Sequence, residues 1–178
     1  MALIDVGLLD LLYNMALVRV MVLKPIPELP IIHSSLYKGS EAVIPRWLAE
    51  ILEEGGYVEI LDGSLTPQDL ARLRFIHTQQ RGRLSKLEEY FFIRSKSNIE
   101  ALESKARKVG DITLLKSVER MKEDFTEIVN IRLSMIFKAI QLKGIDTIEK
   151  ELSIEEKVLI NKLRKILSYW LEKFVELR

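Results

Sequence analysis

The chain has no cysteine, only two histidines, and no proline after Pro67. Without cysteine there is no disulfide framework, no zinc knuckle and no thiol nucleophile. His33 and His77 fall in different halves, and no HxxxH, HExxH or ExxH spacing surrounds them. Metal binding and histidine base catalysis both need convergent partners, so both histidines read as surface or internally satisfied residues. GxxxxGK[ST], GxGxxG and GxSxG are also missing, which removes the usual phosphate cradles and nucleophile elbows. Glu53-Glu54 and Glu88-Glu89 are adjacent on helical stretches and do not share a face, so neither is a paired acid/base site. Charges interrupt every apolar run before 18 residues, too soon for a spanning helix. The apolar start, Met1 to Tyr13, lacks a basic leader and carries Asp5 and Asp10. It reads as an amphipathic or buried first helix of a cytoplasmic protein rather than a signal peptide. No cofactor is expected.

What is present is a globular composition. Of 178 residues, 48% are hydrophobic and 30% charged, enough to bury a core and keep a solvated surface. Lys+Arg is 27 against Asp+Glu 26, so any contact with nucleic acid must come from a local patch.

Punctuation divides the chain. All five prolines lie in the first 67 residues. Leu17 to Leu23 is rich in β-branched residues and reads as a strand. Pro25, Pro27 and Pro30 exclude helix and central strand from the next stretch, and Ile31-Ile32-His33 suggests a second short strand. Gly39-Ser40 turns the chain, Pro45 opens a short helix at its first turn, and Gly55-Gly56 closes it. Tyr57 to Leu61 alternates as a third strand, stopped by Asp62-Gly63. Trp47, Leu48 and Ile51 of the short helix are expected to form the core of this module.

The remainder reads as helix. Thr66 caps a first helix with Pro67 and Asp69 in its first turn, and Gly82 breaks it. A second helix is expected from Leu84 to Val109, stopped by Gly110, and a long one from Asp111 to about Leu142. Ser153 and Glu156 form a capping-box pattern for a last helix over Ile154 to Arg178. The expected fold class is therefore α+β, a small N-terminal β-rich domain with its leading helix (1–63) followed by a larger all-α helical bundle (64–178).

The long helix carries a heptad seam: Leu114, Val118, Met121, Phe125, Ile128, Arg132, Met135, Ala139, Leu142. A second apolar stripe, Val129, Leu133, Ile136 and Ile140, lies beside it. The last helix repeats the arrangement, with Leu159, Leu163, Ile166, Trp170 and Leu177 on one row and Ile160, Leu167, Leu171 and Phe174 on another. A helix apolar on two faces must be covered twice. A four-helix bundle can cover much of this by itself; on the other reading the surplus faces a partner, and Val129, Leu133, Ile136, Ile140, Leu167, Leu171 and Phe174 are assigned to a subunit interface. Arg132, a cation in an apolar seam, fits either a snorkelling side chain or a guanidinium paired with a buried carboxylate. The second reading places it at the interface as well. Separately, Arg72, Arg74, Arg81, Arg83 and Lys86 come with no acidic residue between Asp69 and Glu88. That cluster fits a solvated face, an acidic partner, or a weak contact with DNA through its phosphates.

Val43-Ile44-Pro45-Arg46-Trp47-Leu48-Ala49-Glu50-Ile51-Leu52, followed by Gly56-Tyr57-Val58-Glu59-Ile60, resembles the GINS family of DNA-replication proteins. Ile131-Arg132-Leu133-Ser134-Met135-Ile136 is similar to the arginine-containing stretch of a long helix in that family's A domain. A β-rich B domain placed before a helical A domain resembles the archaeal Psf-two/Psf-three type of subunit. The resemblance implies a non-catalytic structural subunit that pairs through its helical domain with a second GINS subunit of opposite domain order, in a 2:2 tetramer. It implies that the tetramer joins the MCM helicase to a RecJ-like protein. The alternative from the residues alone is a nucleic-acid-binding helical module using the Arg72–Lys86 cluster.

Overall fold

A computed structural model describes residues 6–29, 34–62, 65–79, 84–142 and 144–175. The class is α+β, and the chain divides into two compact units, Asp5–Ser64 and Leu65–Arg178. The expected strand at Ile31–His33, the Gly63-Ser64 part of the joint, the Gly82 break, Arg81, Arg83 and Leu177 lie outside the described residues.

The first unit opens with helix α1 (Val6–Met15) and strand β1 (Leu17–Val22). A ribbon of β2 (Ile26–Leu29) and β3 (Ser34–Leu36) follows, then β4 (Glu41–Pro45), α2 (Arg46–Glu54) and β5 (Val58–Ile60). β1 is the central strand of a three-stranded antiparallel sheet, with β4 on one side and β5 on the other. Its alternation is the reason it folds this way: Val18, Val20 and Val22 are buried while Leu17 and Arg19 face out. Ile44 and Val58 extend that apolar face across the neighbouring strands, and Leu48 and Ala49 of α2 cover it. Pro27 is accommodated because its strand belongs to a two-stranded ribbon, where a lost donor is tolerated.

The sheet continues past β5 through a side chain. The Arg19 backbone N–H donates to Asp62 Oδ2 at 2.8 Å and its guanidinium Nε to Oδ1 at 3.1 Å. That backbone donor, with the guanidinium, holds the Asp62 carboxyl below its ordinary range.

Two expectations are corrected here. Trp47 and Ile51 do not form the module's core: they are 37% and 59% exposed, whereas Leu48 is buried as expected. A nine-residue helix on a three-stranded sheet has one covered face, and Leu48, Ala49 and Leu52 occupy it. Trp47 and Ile51, four residues apart, form an adjacent row turned to solvent. Pro45 is the N-cap rather than the first helical residue, because it is also the last residue of β4. β4 itself escaped the sequence reading, although a residue preceding proline favours extended backbone.

In the second unit, α3 (Pro67–Gln79) and α4 (Phe91–Val109) both pack along the long α5 (Ile112–Gln141). Two 3-10 turns, Ile145–Thr147 and Glu149–Glu151, lead into α6 (Ile154–Phe174). Start signals act as expected. Thr66 and Asp69 bond reciprocally, Asp111 accepts from the Leu114 N–H at 2.9 Å, and Ser153 and Glu156 complete a capping box. The α5 seam is the core stripe over most of its length, with Val118, Met121, Ile128 and Arg132 buried. Phe91, Phe92 and Phe125 form an aromatic cluster at its middle, with centroids 5.3 to 6.3 Å apart.

The helix expected from Leu84 starts only at Phe91. Leu84 and Leu87 are buried from an irregular segment, and Tyr90 just before the helix has φ 55°. The first helical N–H groups are satisfied from outside the segment: Phe92 N–H donates to Glu155 Oε1 of α6 at 3.0 Å.

Trp47→Ala is expected to change unfolding free energy by less than ~1 kcal/mol, while Leu48→Ala costs ~2–4 kcal/mol. Urea titration followed by circular dichroism checks the pair, and a larger loss at Trp47 than at Leu48 would reverse the assignment of the covered face.

Candidate assembly surface

Among the described residues of the helical unit, Arg132 is the side chain with the most hydrogen bonds. It is 1% exposed, on the buried face of α5. Its Nε donates to Glu156 Oε1 at 2.6 Å and its Nη2 to Glu156 Oε2 at 2.7 Å, a bidentate pair. The remaining reach of the guanidinium goes to backbone: Nη1 to the Ser85 carbonyl at 2.8 Å and Nη2 to the Glu151 carbonyl at 3.0 Å. Glu156 Oε2 also accepts the Ser153 N–H at 2.9 Å, so one carboxylate serves both the ion pair and the cap of α6. Ser85 Oγ lies 3.1 Å from His77 Nε2, which brings α3 into the same network. His77 is 3% exposed, and burial, with the Arg132 cation nearby, pushes its pKa down to about 4 against an opposing pull from Glu156.

The guanidinium-to-carboxylate reading of Arg132 is thus the one realised, but within the chain. Its assignment to a subunit interface is corrected, because the carboxylate it meets is Glu156 of the same chain and both side chains are buried. Ile136 is corrected in the same way: it is fully buried in a cluster with Leu84, Ile145, Leu152 and Ile160, against which Ile140 packs. The sequence showed Glu156 only as a capping residue. Its pairing with a residue 24 positions earlier depends on the return path through the two 3-10 turns, and no local signal carries it.

The other assigned residues separate into two places. Val129 and Leu133 are half-buried and, with Phe92 and Leu159, wall a cleft of about 190 Å³ over the Arg132–Glu156 pair. Leu167, Leu171 and Phe174 stand on the second half of α6, where every residue over 164–175 is exposed. Ile166 and Trp170 share this apolar side, and Tyr169, absent from the sequence assignment, is 63% exposed beside them. The Trp170 and Phe174 rings meet along the helix, with centroids 5.8 Å apart. These are large apolar side chains on one helix with much of their surface open to water.

The basic cluster is weaker than its charge count. Arg74 pairs with Asp124 at 3.1 Å and with Glu127 at 3.2 Å, both on α5. Arg72 and Lys86 are exposed, and Arg81 and Arg83 fall outside the described residues. Among the described residues there is no group of three or more metal-ligating side chains, and no helix is long and apolar enough to cross a membrane. No protein-family model matches the chain, and no curated protein matches it significantly.

Two outcomes follow from the buried network. Arg132→Ala and Arg132→Leu each strand the Glu156 carboxylate and are expected to destabilise the helical unit by ~3–5 kcal/mol. Adding Glu156→Leu to Arg132→Leu is expected to recover ~1–3 kcal/mol relative to the sum of the single changes. Additive losses in a denaturant-based cycle would mean that the two side chains do not act as a pair. His77 sets a pH dependence of definite sign. The unfolded chain takes up its proton near the ordinary value of 6.5, the folded chain only near 4. Stability therefore falls as pH drops from 6.5 toward 4 and this contribution levels off below that, with a total on the order of 3 kcal/mol. His77→Gln should flatten that part of the curve, read from melting temperature against pH.

Proposed function

We propose that the chain is a non-catalytic assembly subunit whose helical unit binds other proteins through the exposed half of α6. The observation that carries this reading is the uncovered row Ile166, Trp170, Leu171 and Phe174, with Leu167 beside it, on a helix whose first half is anchored in the core. Burying such a row removes apolar surface from water at no cost to the chain's own packing.

The particular assembly is taken from the resemblance. A Pro-Arg-Trp-Leu-Ala helix within a β-rich domain, placed before a helical domain, supports a GINS subunit of the Psf-two/Psf-three type. In that reading the chain is a cytoplasmic replication factor. It joins a second GINS subunit of opposite domain order and links the MCM helicase to a RecJ-like protein. The exposed row Trp47 and Ile51 on α2 supports a separate protein contact through the β-rich unit. The nucleic-acid reading of the Arg72–Lys86 cluster is less well supported, since Arg74 is already engaged by two carboxylates.

Co-expression with a candidate subunit of opposite domain order tests the proposal. The chain alone is expected to self-associate or aggregate, and the partner to relieve it. Leu171→Asp with Phe174→Asp is expected to weaken capture of the partner at least ~100-fold while leaving helical content unchanged. Capture undiminished by those changes would remove α6 as the assembly surface, and a partner-independent, salt-sensitive affinity for DNA would favour the nucleic-acid reading.

A further inference from the structure

We infer a second binding site: the cleft between α4, α5 and the start of α6 takes a small apolar amine, whose ammonium donates to Glu155. The site is separate from the exposed half of α6 and does not rest on the reading of that surface.

Helical spacing builds the walls. Val129 and Leu133 stand one turn apart on α5, and Glu155 and Leu159 one turn apart on α6, so facing turns of two helices enclose the space. Phe92 of α4 completes an apolar lining around about 190 Å³. The charged residues of the lining are Arg132, Glu155 and Glu156.

Arg132 and Glu156 are spent on each other. Both are buried, and the other hydrogen bonds of the guanidinium go to backbone carbonyls. One carboxylate is left over. Glu155 Oε1 accepts the Phe92 N–H at 3.0 Å and the Ile93 N–H at 3.5 Å. Glu155 Oε2 is buried and has no hydrogen-bond partner among the described residues. A buried carboxylate oxygen without a donor is costly, since nothing replaces its hydration. Glu155 stands in the wall of the cleft, so the cleft is the side from which a donor can reach that oxygen.

One acceptor oxygen among apolar walls decides the class of ligand. An anion would meet an uncompensated carboxylate. A guanidinium asks for two oxygens in a fork, and Oε1 is already taken. A metal ion needs several ligands, and no group of three metal-ligating side chains occurs among the described residues. A water needs about two to four polar partners, which apolar walls do not supply. A neutral apolar molecule fills the space but leaves Oε2 bare. An alkylammonium meets both demands, because it is a point donor on an apolar stem. Size agrees: a protein cavity of about 150 Å³ holds benzene. At about 190 Å³ this cleft holds one ring, or a chain of about four carbons, with its aminomethyl group. A free amine and the lysine side chain of a bound protein offer the same chemistry.

Titration of the full chain with benzylamine, followed by methyl and amide NMR shifts, tests the site. Saturable shifts at the lining residues are expected, with a dissociation constant of ~0.1–10 mM. Benzyl alcohol and benzoate carry the same ring without the ammonium and are expected to bind at least ~10-fold more weakly. Glu155→Gln keeps an oxygen for the Phe92 N–H but puts a donor in place of Oε2, and is expected to abolish the preference for the amine. Val129→Phe fills the cleft without touching the charge and is expected to abolish binding of amine and alcohol alike. Circular dichroism checks that each variant folds, and the wild-type preference reads the carboxylate without any variant. Nα-acetyl-lysine methylamide separates the two sources. Binding at least as tight as that of n-butylamine assigns the site to a protein lysine, and binding of n-butylamine alone assigns it to a free amine. Equal affinity of the wild-type chain for benzylamine and benzyl alcohol, an amine preference that survives in Glu155→Gln, or no shift with any of these amines overturns the proposal.

Discussion

The bidentate contact between Arg132 and Glu156 organises the helical unit. Taking two charges out of water is expensive, and attraction alone does not reliably offset it. Here the geometry is close to complete. The guanidinium spends its donors on one carboxylate and two carbonyls, and the carboxylate also accepts the N–H that starts α6. One side chain thereby fixes α5, α6, the 3-10 turn before α6 and the irregular segment around Ser85, with His77 of α3 one hydrogen bond further on. An apolar residue at position 132 would fill space without specifying which turn of α6 lies opposite. The ion pair specifies it.

That specification has a consequence for the rest of α6. With Glu156 pinned and Val158 and Ile160 buried, the beginning of the helix is held in the core. Beyond Leu163 every described residue of the helix is exposed, its apolar side included. Propensity alone does not hold such a helix end in place, since helices gain most of their stability from packing an amphipathic face. Anchor and projection are thus one arrangement: a buried electrostatic clamp at the base, and an exposed apolar row beyond it. Glu155, next to the clamp, adds a second tie by accepting from the Phe92 N–H at the start of α4.

Local signals in the sequence were sufficient for most elements. Thr66, Asp111 and Ser153 each began a helix where a side-chain oxygen before an apolar-periodic run said one would begin, because capping involves residues within three positions. Gly110 ended α4 in a left-handed conformation that suits glycine. β1 was legible from its alternation. β4 was not, because only Ile44 of its five residues is buried and Pro45 drew attention to the helix that follows. The start of α4 was misplaced because its N-terminal donors are satisfied by a residue more than sixty positions away.

Sequence by itself determined the α+β class, the order of a strand-rich unit before a helical one, the caps, and the surplus of apolar rows on α5 and α6. All of these depend on residue type and on spacings of two to seven positions, which the chain displays directly. Tertiary structure decided which apolar rows are core and which are free. It buried Ile136, exposed Trp47, and left Leu167, Trp170, Leu171 and Phe174 uncovered. It also decided the partner of Arg132. Periodicity shows that a face is apolar but not what lies against it, and a cation in a seam announces only that a carboxylate is needed. Which carboxylate answers depends on where the chain returns after a turn, and that is settled by packing.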